Sequence, residues 1–97
     1  MDLHLAGKRA LITGGSKGLG FGAAKALAIE GCAVHLVSRS ASDLEAAAGE
    51  IKKASNVEVS FTALDLTKPA NVELLRGPLA TTDILVNNAG AVPLGSI

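Results

Sequence analysis

The sequence predicts an α/β fold in which four parallel strands, in the order 3-2-1-4, form the first half of a doubly wound sheet. Three short apolar runs, bounded by glycine or polar residues, are typical of strands buried on both faces. Segments compatible with helices separate the strands, and a glycine-rich loop follows the first of them. This alternating order predicts right-handed crossovers and a parallel sheet.

The predicted strands are of two kinds. Arg9–Thr13, Ala33–Ser38 and residues 83–87 are apolar runs, as expected for strands inside a parallel sheet. Residues 57–63 alternate between apolar and polar side chains, so this segment is predicted to be a strand at the sheet edge. The apolar face of this edge strand would consist of Val57, Val59, Phe61 and Ala63.

The first predicted helix covers residues 19–30 and is followed by Gly31, which suits the left-handed position beyond a helix end. Three small residues of this helix are expected to allow close approach to the sheet, namely Gly22, Ala23 and Ala26. The second predicted helix starts in a capping box formed by Ser42 and Glu45 and runs to about residue 54. Its apolar face would consist of Leu44, Ala47, Ala48 and Ile51.

The third predicted helix begins near Thr67, because Pro69 can occupy the first helical turn without losing a hydrogen bond. Gly77 and Pro78 are predicted to end it. In the order 3-2-1-4 the first two helices would cover one face of the sheet, and the third would lie alone on the other. That second face and the outer edge of the fourth strand would be left uncovered, so we expect a further partner there.

Composition excludes several classes of protein. The chain has 97 residues, enough for one domain or part of one, and its formal net charge of zero argues against nucleic acid as a partner. Its apolar runs are far shorter than the roughly twenty residues that cross a bilayer. The acidic Asp2 is not typical of a secretory signal, so a cytoplasmic protein is expected. Cys32 cannot form an internal disulfide, and the isolated His4 and His35 predict no metal site.

The strongest functional signal is the loop of residues 13–20, between the first strand and the first helix. Its glycines permit a tight turn with positive φ and let backbone N–H groups approach a pyrophosphate at the helix N-terminus. The loop therefore predicts a nucleotide site, although a tight turn without a ligand would need the same glycines. A P-loop is excluded because Lys17 lacks the preceding glycine and following Ser or Thr of that motif.

A second motif, Asn87-Asn88-Ala89-Gly90, follows the fourth strand. Together with Thr13-Gly14-x-x-x-Gly18-x-Gly20 it resembles the short-chain dehydrogenase/reductase family, and its spacing is similar to that of the single-domain branch. The resemblance runs from about residue 5 to the last residue. It implies the N-terminal half of an NAD(P)-binding Rossmann fold.

The resemblance also implies a set of cofactor-binding residues. The phosphates would contact the glycine loop, whose members are Gly14, Ser16, Lys17, Gly18, Leu19 and Gly20. The nicotinamide ribose would lie along Asn88, Ala89 and Gly90, and Asn87 would mainly tie strands together. Asp65 would hydrogen-bond the adenine ring and Leu66 would pack against it, although Asp65 could instead cap the helix that follows.

The choice of cofactor depends on the charge at the end of the second strand. An acidic residue there would bind the ribose 2′-hydroxyl of NAD and repel the 2′-phosphate of NADP. This sequence has Ser38 and Arg39 instead, and Lys17 supplies a second positive charge from the glycine loop. A guanidinium can stack on adenine and pair with phosphate, so NADP is favoured and NAD is less expected. The alternative is that both side chains are solvated surface charges.

The residues that perform chemistry in the resembled family are a Ser, a Tyr with a nearby Lys, and a helical Asn, all beyond the fourth strand. This sequence has no tyrosine, so no catalytic residue is expected in residues 1–97. We therefore expect an incomplete NAD(P)-binding domain, truncated after the fourth strand and inactive alone. The complete protein would exchange a hydride between NADPH and a ketone or secondary alcohol, as a homo-oligomer. The alternative is a naturally short, non-catalytic module that binds a nucleotide or a partner.

Overall fold

A computed structural model describes residues 5–14 and 16–88. Its four strands are β1 (Arg9–Thr13), β2 (Ala33–Ser38), β3 (Val59–Ala63) and β4 (Ile84–Asn87). They form one parallel sheet in the order β3-β2-β1-β4, which confirms the predicted topology. The carboxyl ends of β1, β2 and β4 consequently meet at one edge of the sheet, where ligands bind in doubly wound folds.

Two long helices connect the first three strands. α1 (Gly18–Ile29) follows β1, and α2 (Ala41–Ala54) follows β2. Gly31 has the predicted left-handed conformation, with φ of 98°, and its N–H donates to the carbonyl of Ala28. The chain therefore reverses tightly between α1 and β2, as the position of Gly31 predicts.

The start of α2 differs from its prediction. The capping residue is Ser40 rather than Ser42, because the Ser40 Oγ accepts the backbone N–H of Asp43 at 3.3 Å. The capping box predicted from Ser42 to Glu45 is therefore wrong. A serine two residues nearer to β2 begins the helix sooner and fixes the backbone of its first turn.

The face of α1 that packs on the sheet was also predicted wrongly. Gly22 and Ala26 are exposed and Ala23 is only partly buried. The buried residues of α1 are instead Gly20, Ala24 and Ala28. These three are spaced four residues apart, and the row begins where Gly20 packs against the backbone of the preceding loop.

The segment between β3 and β4 is not one helix. It consists of α3 (Pro69–Val72), a 3₁₀ turn (Glu73–Leu75) and α4 (Arg76–Ala80). Gly77 and Pro78 lie inside α4 rather than ending a helix, which corrects the prediction. Pro78 is the third residue of α4, where a backbone N–H has no intrahelical partner, so the missing donor costs no hydrogen bond.

The core lies on both faces of the sheet. The larger cluster joins the sheet to α1 and α2, with Ile12, Leu36, Leu44 and Ile51 among its buried members. The predicted apolar face of α2 is confirmed, since Leu44, Ala47, Ala48 and Ile51 are all buried. A smaller cluster on the opposite face consists of Leu11, Val37, Leu66, Val72 and Leu75. The first two helices therefore cover one face, and the segment from α3 to α4 covers part of the other.

Two apolar side chains at the sheet margins remain exposed. Phe61, at the edge strand β3, is 38% exposed even though it belongs to the predicted apolar face of that strand. Leu85 of β4, which is in register with the buried Leu11, is 43% exposed. The parts of the chain that the structure describes thus leave apolar surface at both outer strands. No helix within those parts is long and apolar enough to cross a membrane.

Candidate cofactor-binding site

A backbone hydrogen bond to β2, the neighbour of β1, holds the glycine loop against the sheet. The Gly14 N–H donates to the carbonyl of Val37 in β2 at 2.8 Å, and Gly14 has φ of 66°. Gly18, the first residue of α1, has φ of 58°. A side chain would strain the backbone at both positions, so glycine is required there for conformation.

Close packing explains the third glycine of the motif. A Cβ atom added to Gly20 would lie 2.1 Å from the Gly14 carbonyl oxygen and 3.0 Å from Asn88 Nδ2. A Cβ added to Gly14 would lie 3.3 Å from the same Asn88 atom. The two sequence motifs, 68 residues apart between Gly20 and Asn88, therefore meet in one cradle formed by Gly14, Gly20 and the Asn88 side chain.

The N-terminus of α1 opens beside this cradle. Lys17 precedes the helix in an extended conformation, and no side chain caps the first turn among the described residues. The first turn contains no acidic residue, so its free N–H groups and partial positive charge are available to an anion. Leu19 projects into solvent with 84% of its surface exposed, and Ser16 is partly buried.

Two residues at the end of β2 lie toward the same edge of the sheet. The Ser38 Oγ is buried and has no hydrogen-bond partner among the described residues. A buried hydroxyl without a partner carries a desolvation penalty that a ligand could relieve. Arg39 is exposed and forms no ion pair with any described residue. Its positive charge also lowers the pKa of the Asp65 carboxyl, as the smallest of several causes.

Lys17 forms an ion pair that the sequence did not predict. Its Nζ lies 3.3 Å from Asp43 Oδ2, which is in the first turn of α2. Sequence reasoning missed Asp43, because a contact between the glycine loop and the second helix has no periodic or motif signal.

Asp65 is engaged locally. Its Oδ1 accepts the backbone N–H of Thr67 at 3.0 Å and the Thr67 hydroxyl at 2.6 Å. These bonds to the Thr67 side chain and backbone lower the pKa of the Asp65 carboxyl, so it stays ionised. The helix cap itself is Lys68, and Asp65 thus orders the turn before α3. Leu66 is 7% exposed and packs into the smaller core cluster, which leaves little of its side chain at the surface.

A hydrogen bond ties β1 to the outer strand β4 at the site. The Thr13 hydroxyl donates to Asn87 Oδ1 at 2.9 Å, linking the ends of β1 and β4. This is the structural role that the family resemblance implies for Asn87. The tie fixes the strand end from which Asn88 reaches the glycines. Ala89 and Gly90, also expected to contact the cofactor, lie outside the described residues, as does His4.

The remaining chemically active side chains serve packing. Cys32 is buried, and burial together with Glu30 and Asp83 raises the pKa of its thiol, so the reactive thiolate is disfavoured. His35 lies between the hydroxyls of Ser60 and Thr62, at 2.7 and 2.8 Å. Across residues 5–14 and 16–88 no three acidic, histidine or cysteine side chains are grouped as metal ligands.

A parallel sheet in the order β3-β2-β1-β4, with a glycine cradle between its first strand and first helix, defines the class of Rossmann-type folds. The model of the short chain dehydrogenase family matches residues 8–97. The chain belongs to this family.

Relatives support the assignment along most of the chain. L-xylulose reductase of Bos taurus is 40% identical over 89 residues, which are 92% of this chain and 34% of the relative. D-beta-hydroxybutyrate dehydrogenase of Cupriavidus necator is 37% identical, with 96% of this chain and 37% of the relative covered. The chain therefore spans about a third of the length of these curated relatives.

A solved structure shares the fold closely. The L-sorbose reductase of Gluconobacter frateurii, complexed with NADPH and L-sorbose, superposes with a TM-score of 0.83 at 40% identity. The match covers 94% of this chain and 36% of that one. The described residues therefore correspond to one part of a larger oxidoreductase fold.

Proposed function

We propose that the complete protein is an NADP-dependent oxidoreductase and that this chain supplies its cofactor-binding part. The bound dinucleotide would give or take a hydride, and the partner would be a small ketone or secondary alcohol. The observation that carries the choice of NADP is Arg39, an exposed guanidinium at the end of β2 with no ion pair to any described residue. A planar guanidinium is well suited to a 2′-phosphate.

The glycine cradle supports binding of the pyrophosphate. Gly14, Gly18 and Gly20 bring the backbone close to the ligand, and Ser16 with Leu19 would complete the contacts at the helix N-terminus. The uncapped first turn of α1 leaves N–H donors free for phosphate oxygens. This half of the site would serve NAD and NADP equally, because both cofactors contain the same pyrophosphate.

Ser38, Asp65, Leu66 and Asn88 would supply the remaining contacts to the cofactor. The Ser38 hydroxyl, buried without a partner, would accept or donate a hydrogen bond near the adenosine ribose. The ionised Asp65 would face the adenine ring, with Leu66 contributing what little surface it exposes. Asn88 would continue from the cradle toward the nicotinamide ribose, together with Ala89 and Gly90.

The NADPH complex of the L-sorbose reductase is consistent with this proposal, because that protein shares the fold at 40% identity. We further propose that the family's catalytic groups belong to a part of the protein outside residues 1–97. The complete protein would be a cytoplasmic homo-oligomer. Exposed Leu85 at the outer strand is consistent with a further segment or subunit packing there.

Titration of the complete protein with NADPH and with NADH tests the cofactor assignment. Arg39→Ala should weaken NADPH binding about ten- to a hundredfold, since a charge-assisted contact contributes roughly 1.5–3 kcal/mol. NADH binding should change little, because NADH has no 2′-phosphate. Arg76→Ala is the matched control, since Arg76 is an exposed arginine that pairs with Glu73. Equal losses for both cofactors on replacing Arg39 would refute the assignment.

A further inference from the structure

The ion pair between Lys17 and Asp43 joins the two elements that would surround the adenosine end of the cofactor. Lys17 belongs to the glycine loop, and Asp43 lies four residues after Arg39 in the first turn of α2. Their charged atoms are 3.3 Å apart, while the Lys17 side chain is 78% exposed and that of Asp43 is 40% exposed. The pair thus lies at the surface, within reach of a ligand.

The two partners are held with different rigidity. The Asp43 backbone is fixed by the Ser40 cap, and the neighbouring Leu44 anchors this turn in the core. Lys17 is attached through a long flexible stem and has no other ion pair with a described residue. The carboxylate is therefore the stationary member, and it determines where the ammonium of Lys17 rests.

We propose that Asp43 is a specificity-determining residue that acts through Lys17. Its carboxylate is a resident counter-ion that holds the Lys17 ammonium against α2, where the 2′-phosphate must compete for it. Asp43 therefore lowers the affinity for NADPH and leaves the affinity for NADH unchanged. The inference rests on the proposed function, because it requires the 2′-phosphate to bind beside Lys17 and Arg39.

The physical reason is competition between two anions for one cation. A bound phosphate carries about −1.5 to −2 charges and would draw Lys17 away from the single charge of Asp43. Exposed ion pairs contribute little, so separating this one reduces affinity by only about two- to fivefold. A cofactor without the 2′-phosphate does not compete for Lys17 and is unaffected.

The test is Asp43→Asn in the complete protein, with binding of NADPH and NADH measured by titration calorimetry without substrate. The variant keeps the side-chain shape and the backbone N–H that Ser40 caps. NADPH affinity should rise about two- to fivefold at low salt, and this gain should shrink as salt screens the charges. NADH affinity should stay constant. Glu50→Gln is the matched control, because Glu50 lines the same groove between α1 and α2 without pairing with Lys17.

A double-mutant cycle separates this mechanism from direct repulsion of the phosphate. In a Lys17→Met background, Asp43→Asn should no longer change NADPH affinity. A gain that persists in that background would overturn the inference, and so would weaker NADPH binding by Asp43→Asn alone or an equal gain from Glu50→Gln.

A wild-type protein that bound both cofactors equally would refute the proposed preference for NADP. This outcome would not by itself refute the role of Asp43. In that case a preference for NADPH created by Asp43→Asn would still support the counter-ion role. The absence of any such change would overturn it.

Discussion

A methyl group at position 20 tests the contact on which the cofactor cradle depends. In Gly20→Ala the new Cβ would lie 2.1 Å from the Gly14 carbonyl oxygen and 2.8 Å from its carbonyl carbon. Both distances are far shorter than an ordinary van der Waals contact of about 3.5 Å. The obstructing atoms belong to the backbone, so they cannot rotate away as the end of a side chain can.

The loop must therefore move, and Gly14 is already constrained by its positive φ and by its bond to Val37. Overpacking of this kind reduces the free energy of unfolding by about 1–3 kcal/mol. Displacement of the cradle should also weaken NADPH and NADH to a similar degree, because both use the same pyrophosphate site. This shared loss differs from the selective loss expected for Arg39→Ala.

Gly22→Ala is the matched control in the same helix. Gly22 is exposed, and a Cβ added there would meet no atom within 4 Å. Alanine is favoured over glycine in a helix interior by about 0.5–1 kcal/mol, so this variant should be more stable than wild type. The same chemical change, two residues apart, should thus have opposite effects on stability.

Urea unfolding of the complete protein and its two variants measures the stability change, and cofactor titration measures the change in binding. A Gly20→Ala variant with an unfolding midpoint and cofactor affinities equal to those of Gly22→Ala would refute the proposed packing of the loop on α1.

Three further predictions concern the pH dependence of stability, the packing of the core and the activity of residues 1–97. Burial and the nearby Arg9 lower the pKa of His35 below its ordinary value of about 6.5, so the unfolded chain binds the proton more readily. Stability should therefore fall as pH decreases through the window below 6.5, and His35→Gln should reduce this dependence in unfolding measured from pH 7 to pH 5. Leu44→Ala should cost about 2–5 kcal/mol in urea unfolding, whereas Leu19→Ala at an exposed site should change stability by less than about 0.5 kcal/mol. Residues 1–97 alone should not reduce any ketone in an NADPH oxidation assay, because the family's proton donor is missing; turnover by the pure polypeptide would contradict this.

The sequence by itself determined the order of the elements and much of the sheet. β1 and β2 have the predicted bounds, because short, predominantly apolar runs between glycine or polar residues have few alternatives to a buried strand. The buried face of α2 was also predictable, since its apolar residues contrast with charged neighbours at helical spacing. Gly14 and Gly18 identified the loop because their positive φ is a local requirement.

Tertiary structure alone decided which face of α1 packs on the sheet and how far Phe61 is exposed. α1 is so rich in Ala and Gly that several of its faces could pack on a sheet, and the contact between Gly20 and Gly14 selects one. Phe61 is partly exposed because its strand lies at the edge of the sheet.

The pairing of Lys17 with Asp43 likewise depends on how α2 packs beside the glycine loop. Local propensity acts over a few residues, whereas this contact joins positions 26 residues apart that only the folded sheet brings together.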